Sequence, residues 1–184
     1  EDPMEHSDEI EAELFGRALN THVKMTGRKP RGYRAPIYSI TPSIVNRLIE
    51  HDFLYDSSMM ADDLPYEVVT NKGSIIEVPP HWGTDDWPQF AHMSELDYIM
   101  PVRGPSDGIK AFIQEFDAMY EAGGFYMPVL HPFLTGRLAR WREMERHLER
   151  IVEQGDVWLT SMQEIAEHSK AQASNLRRES LGIG

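Results

Sequence analysis

The sequence predicts an α/β protein with a mainly parallel sheet or barrel. Segments with helical periodicity alternate with short apolar segments typical of strands, in the order helix, strand, helix, strand, strand, helix, strand, helix, strand, helix. Glycine, proline or capping residues separate most of these segments, as expected where helices and strands begin and end. We predict a single domain over residues 1–184, with a frayed polar tail at 174–184.

Five helices are predicted from apolar spacing and from start and stop residues. The first follows Ser7 and ends at Gly27, and Thr41-Pro42 opens the second. The others follow Ser106, cover residues 137–154 and begin at the capping box that Ser161 forms with Glu164. The predicted extended segments or strands are 33–35, 53–55, 74–78, 125–130 and 157–160, and an aromatic-rich loop occupies 81–104.

Composition excludes several classes of function. The chain has 18 basic and 30 acidic residues, a net charge of −12, which argues against binding to nucleic acid or to an anionic membrane. It has no cysteine, so disulfides, thiolate metal sites and a cysteine nucleophile are excluded. The first fifteen residues contain seven acids and no base, which favours a solvated helix face: Glu1, Asp2, Glu5, Asp8, Glu9, Glu11 and Glu13.

Two basic side chains at predicted strand ends are candidates for catalysis. Arg34 precedes Ala35-Pro36 and could grip a carboxylate with both arms, although a structural ion pair explains it equally well. His131 follows an apolar segment and could act as a general acid. A lone histidine at a strand end is more often structural, so this motif alone favours the structural role.

The loop at 81–90 could form a substrate pocket. It contains the aromatic rings of Trp82, Trp87 and Phe90, and the acids Asp85 and Asp86. Such rings could stack on a sugar or a planar ring, or they could simply be buried for stability. Asp56, in Tyr55-Asp56-Ser57-Ser58, is more typical of a residue that accepts hydrogen bonds from turn amides.

Other common catalytic motifs are absent. The sequence has no glycine-rich phosphate loop and no Gly-x-Ser-x-Gly elbow. No two of its eight histidines lie three or four residues apart, so it contains no local histidine pair to bind a metal.

Taken together, four segments resemble motifs of the polysaccharide deacetylase family. Residues 26–36 resemble its Arg-x-Pro motif, and 53–58 its "GF-x-YDSS" segment, with Asp52 where glycine is usual. Residues 85–87 and 129–137 are similar to later motifs of the branch with peptidoglycan-deacetylase-like proteins, cyclic imide hydrolases and cofactor-free allantoinases. The order and spacing of the four segments carry the resemblance.

The resemblance implies a partial distorted (β/α) barrel that lacks its N-terminal strands. It implies a divalent metal, commonly zinc, that polarises an amide carbonyl and activates water. Arg34 would orient an aspartate base and His131 would protonate the leaving amine. The substrate-binding residues would be Pro36, Tyr38, Trp82, Asp85, Asp86 and Trp87.

The sequence departs from the family pattern because it lacks the early Asp motif and the His-x-x-x-His motif. The opening Glu1-Asp2-Pro3-Met4-Glu5 resembles what commonly follows the second metal histidine, so we expect the metal ligands to precede Glu1. On this interpretation the chain is the C-terminal two-thirds of a longer hydrolase, and by itself it is inactive.

Three functions remain open on the sequence. The leading one is deacetylation of an N-acetylated sugar, and the second is ring opening of a cyclic imide or an allantoin-type ureide. The third is a non-catalytic carbohydrate-binding module. We further expect a cytoplasmic location and a homo-oligomer, with a small-molecule or carbohydrate substrate and no nucleic-acid or membrane partner.

Overall fold

The computed structural model describes residues 7–181, which form two compact units. The first unit covers the chain up to Pro79 and again from Thr160, and the second covers Pro80–Leu159. Glu1, Asp2 and Glu5 of the acidic segment, like the whole opening 1–5, lie outside the described residues. Within 7–181, no helix is both long and apolar enough to cross a bilayer.

The first unit contains a five-stranded sheet with the order β1-β2-β4-β3-β5. The strands are β1 (Gly32–Tyr33), β2 (Tyr55–Asp56), β3 (Tyr66–Thr70), β4 (Gly73–Glu77) and β5 (Arg178–Ser180). Only the β3–β4 pair is antiparallel among these strands. Because β1, β2 and β4 run in parallel, the residues that follow them leave the sheet at the same edge. This mainly parallel sheet agrees with the predicted α/β class.

Three helices accompany this sheet: α1 (Asp8–Thr26), α2 (Pro42–Glu50) and α6 (Met162–Ala171). Gly27 ends α1 in the left-handed conformation at φ 74°, as its position in the sequence predicts. Thr41 caps α2 by accepting from the Ile44 N–H. The buried apolar core consists of Phe15, Ile44, Val45, Leu48, Phe53, Tyr66, Val68 and Ile75.

Asp52 follows α2 with φ 60°, at the position where the resemblance leads one to expect glycine. The left-handed conformation explains that expectation, and aspartate tolerates it better than most residues do.

Up to residue 181, the C-terminal part of the chain corrects the prediction of a frayed tail at 174–184, of which 182–184 lie outside the described residues. Residues 178–180 form β5, which pairs in parallel with β3. Arg178 pairs with Glu67 at 2.6 Å, and Arg177 pairs with Asp62 at 2.8 Å. Polar composition suggested a loose end, but these side chains complement charges on β3 and in the segment before it. Hydrophobic periodicity does not predict β3, which forms a hairpin with β4.

The second unit contains α3 (Trp87–Phe90), α4 (Pro105–Ala122) and α5 (Leu138–Glu153). Its buried core consists of Phe90, Ala91, Ile109, Phe112, Leu134 and Met144. The strands predicted at 125–130 and 157–160 are wrong. Residues 125–130 are half-buried and make one isolated bridge, Asp85 to Val129, while Trp158 and Leu159 are exposed. An apolar segment becomes a strand only where a neighbouring strand pairs with it.

The predicted capping box at the start of α6 is confirmed. The Ser161 hydroxyl accepts from the Glu164 N–H, and the Glu164 carboxylate accepts from the Ser161 N–H at 3.1 Å. Ser161→Ala should lower the free energy of unfolding by about 1 kcal/mol, because a helix-end N–H loses its acceptor. Urea denaturation with an unchanged m-value would measure this loss. Ser174→Ala, outside the helix, is the control, and equal stabilities of the two variants would contradict the capping role.

Candidate active site

The second unit joins Asp86 and His131 in a hydrogen-bonded pair. His131 Nδ1 lies 2.5 Å from Asp86 Oδ1. Because a carboxylate only accepts, Nδ1 carries the hydrogen and Nε2 points the other way around the ring. Asp86 is fully buried, whereas the His131 side chain is 32% exposed. The pair therefore has a buried inner member and an outer member with access to solvent.

Three further donors hold the other oxygen of Asp86. Oδ2 accepts from the His131 N–H at 2.9 Å, from the Thr135 N–H at 3.2 Å and from the Thr135 hydroxyl at 2.5 Å. These bonds fix the orientation of the carboxylate. Asp86 is thus both the anchor of the 131–135 turn and the partner of the imidazole.

Local sequence explains how the two residues meet. Asp86 precedes Trp87-Pro88, which open α3, and its N–H donates to the Val129 carbonyl at 3.1 Å. Val129 N–H donates in return to the Thr84 carbonyl at 2.8 Å. This two-bond bridge brings residues 84–86 alongside 129–131, so two segments that are distant in sequence deliver one side chain each.

Aromatic rings surround the imidazole. The Trp87 ring centroid lies 5.4 Å from that of His131, and the Phe133 centroid lies at 5.6 Å. Trp87 and Phe133 also meet edge to face at 6.1 Å. Trp82 is 47% exposed and forms part of a short helical turn, Trp82–Thr84. The sequence singled out both tryptophans, but it gave no reason to select Phe133.

Asp85, Asp86 and His131 lie close enough together to be considered as ligands for a metal ion. Their hydrogen bonds do not fit that role. Asp86 Oδ1 already bonds His131 Nδ1, and Asp86 Oδ2 already accepts from the His131 N–H and from Thr135. Asp85 Oδ1 accepts from the Trp87 N–H at 2.7 Å. An ion would have to replace these bonds, so the arrangement suits proton transfer better than metal binding.

In the first unit, Arg34 leaves the end of β1 and is held by Ser57. Its Nε donates to the Ser57 carbonyl at 2.9 Å, and its Nη2 donates to the Ser57 hydroxyl at 2.6 Å. Ser57 Oγ donates in turn to the Val78 carbonyl at 2.7 Å. The guanidinium also lies over the Tyr38 ring, 5.8 Å from its centroid. These contacts fix the plane of the guanidinium at the carboxyl edge of the parallel strands.

Residues 36–38 have an unusual backbone beside Arg34. Pro36–Tyr38 is a tight helical turn in which Ile37 has φ 50° and Tyr38 has φ 60°. The left-handed conformation is costly for a β-branched residue, and such strain often marks a functional segment. Ile37 is exposed, and sequence reasoning did not select it.

Asp56 accepts from the Ser58 N–H at 3.0 Å, which agrees with the turn role that the sequence favoured. It is also fully buried and lies opposite Glu77 of β4 in the strand register. Sequence reasoning did not single out Glu77, because alternation in a strand does not reveal which charged residue faces a core.

No family model matches the chain. A curated peptidoglycan deacetylase of Helicobacter pylori is 22% identical over 91% of this chain and 66% of its own length. A crystal structure from Mycobacterium smegmatis, described as that of a polysaccharide deacetylase, matches all of this chain and 64% of its own with 31% identity and a TM-score of 0.89. The Puue allantoinase structure matches 90% of this chain and 54% of its own with 25% identity and a TM-score of 0.75.

The likeness to these structures confirms the α/β, barrel-type fold class. These comparisons support the polysaccharide deacetylase family for this chain. It spans slightly less than two thirds of the length of the first two relatives.

Proposed function

We propose that this protein contributes to a hydrolase of non-peptide carbon–nitrogen bonds, and that its substrate is an N-acetylated sugar. The observation that carries the proposal is the pair formed by buried Asp86 and solvent-accessible His131, 2.5 Å apart. A carbohydrate-binding module would need aromatic rings but would have no use for a histidine oriented by a buried carboxylate.

In this function His131 is the general acid. Asp86 holds the Nδ1 hydrogen and stabilises the doubly protonated ring, as in other pairs of this type. The Nε2 proton passes to the nitrogen of the breaking amide bond, so the amine leaves neutral. The acetate keeps the oxygen that comes from the attacking water. Four side chains shape the surroundings of this acid: Trp82, Asp85, Asp86 and Trp87.

Arg34 is proposed to orient a carboxylate that acts as the base. Two of its nitrogens are already fixed by Ser57, so its remaining hydrogens have a defined direction. Pro36 and Tyr38 are the proposed substrate contacts in the first unit. The divalent metal that the resemblance implies, with zinc as the first choice, remains a prediction. Asp85, Asp86 and His131 lie close enough together to hold an ion, but their hydrogen bonds compete with it.

Ring opening of a cyclic imide or an allantoin-type ureide is the second candidate. It is favoured by the likeness to Puue allantoinase, which extends over 90% of this chain. A planar ring could contact Trp87 and Phe133 as readily as a sugar could. Cytoplasmic location and self-association stay predictions.

A substrate panel tests the proposal. The full-length protein should release acetate from chitooligosaccharides and leave succinimide and allantoin intact. The 184-residue chain should show little turnover with or without added zinc, because hydrogen bonds compete for the Asp85, Asp86 and His131 atoms that could bind the ion. Ring opening without acetate release would favour the second candidate, and zinc-dependent turnover by the 184-residue chain would contradict the expectation for the metal.

A further inference from the structure

The first unit contains a buried carboxyl pair that lies outside the acid–base pair described above. Asp56 ends β2 and Glu77 ends β4, and the two residues are direct partners across these parallel strands. Both are fully buried. Neither forms an ion pair with a basic residue among residues 7–181.

The pair can be hydrogen-bonded only if one member is protonated. The two side chains are buried neighbours across parallel strands, and two ionised carboxylates at this place would repel each other without a counter-charge. No N–H or O–H donor of the described structure reaches Glu77 Oε2, although Oε1 accepts from the Met59 N–H at 3.0 Å. A buried oxygen without a donor is costly as an acceptor but satisfied as a hydroxyl.

The proton is best placed on Glu77. Asp56 accepts from the Ser58 N–H at 3.0 Å and from the Ser58 hydroxyl at 2.9 Å, and these bonds stabilise its ionised form. Burial first, and then the neighbouring charge of Asp56, raise the pKa of Glu77 to about 10.

Other titratable groups near the pair do not supply a compensating charge. Tyr33 of β1 and Tyr66 of β3 have pKa values raised by burial, to about 12 for Tyr33, so both stay neutral. On α2, Arg47 pairs with Glu11, and Glu50 pairs with Lys72. The titratable side chains of α6 lie at exposed positions: Glu164, Glu167, His168 and Lys170.

A short chain of hydrogen bonds connects this pair with the Arg34 segment. The Ser58 hydroxyl, which donates to Asp56, accepts from the Ala35 N–H at 2.9 Å. Ser57, between Asp56 and Ser58, holds two nitrogens of Arg34. The carboxyl pair therefore fixes the 56–59 turn, and that turn fixes both the backbone and the side chain of the arginine segment.

We propose that Asp56 and Glu77 share one proton and act as positioning residues for Arg34. The catalytic meaning of this role rests on the function proposed for Arg34, but the positioning itself can be measured without turnover. In Glu77→Gln the amide oxygen can accept from the Met59 N–H and the amide NH₂ can donate to Asp56. The methyl group of Glu77→Ala can do neither.

The first test follows stability with pH. Because the pKa of Glu77 is higher in the folded protein, about 10, than its ordinary value of 4.5, the folded protein retains a proton that the unfolded chain releases. Stability from this group is therefore complete below pH 4.5 and declines as pH rises towards 10. The melting temperature of the wild type should fall more steeply with pH than that of Glu77→Gln. The difference between the two slopes should correspond to about one proton released on unfolding. Parallel curves would overturn the shared proton, and Glu67→Gln on β3 is the matched control, expected to follow the wild type.

The second test observes Arg34 directly by NMR exchange of its Nε hydrogen. Exchange should be about tenfold faster in Glu77→Ala, because the turn that holds the guanidinium loosens, and near the wild-type rate in Glu77→Gln. Ser58→Ala, which removes only the bridging hydroxyl, should also accelerate exchange and covers the case in which Glu77→Ala does not fold. Unchanged exchange in Ser58→Ala would overturn the positioning role, while the function proposed for Arg34 would still be decided by turnover.

Discussion

Asp86→Asn is expected to lower turnover of an N-acetylated oligosaccharide by roughly 10³–10⁴-fold in the full-length protein. The amide could present its NH₂ group to His131 Nδ1, which would favour the wrong tautomer, and it cannot stabilise a doubly protonated ring. The fold should persist, because asparagine has the same shape and its oxygen can still accept from Thr135. Release of acetate under saturating substrate measures the loss, and circular dichroism checks the fold.

Two comparisons make this prediction specific. Asp97→Asn, at an exposed position with φ 53° that asparagine tolerates, is the control and should leave turnover unchanged. Asp86→Asn combined with His131→Ala should be no slower than the slower single variant, because residues that act as a unit are not additive. Near-normal turnover of His131→Ala would return this histidine to a structural role.

Arg34→Lys should reduce turnover by roughly 10²–10³-fold, the size expected for loss of one preorganised electrostatic contact. Lysine keeps the charge, but its single nitrogen cannot make both bonds to Ser57 and still direct a donor elsewhere. The measurement is kcat and KM for acetate release, with most of the loss expected in kcat.

Arg137→Lys serves as the matched control, because this exposed arginine lies before α5 and outside the candidate site. If Arg34→Lys retained full turnover, Arg34 would be a structural residue that ties β1 to Ser57. Ser57→Ala, which removes only one of the two partners, should have a smaller effect than Arg34→Lys.

Much of the fold follows from local signals in the sequence. Thr41-Pro42, Gly27 and the Ser161 capping box begin or end helices where predicted, because capping depends on residues within one turn. The strands were less predictable. Pairing depends on which neighbour supplies hydrogen bonds, and a single segment carries no record of that neighbour. This applies to β3, to β5 and to segment 125–130, which makes only an isolated bridge.

The candidate site also combines features that the local sequence predicts with features that it does not predict. The sequence by itself determined the chemical types at the site, with His131, Asp86 and Arg34 each placed next to a turn or strand end, and the family that their spacing resembles. Only the tertiary structure decided that Asp86 is the partner of His131, that Ser57 holds Arg34, and that Glu77 faces Asp56. The physical reason is that local sequence fixes the conformation of a segment, whereas hydrogen bonds and pKa shifts depend on burial and on partners brought from elsewhere in the chain.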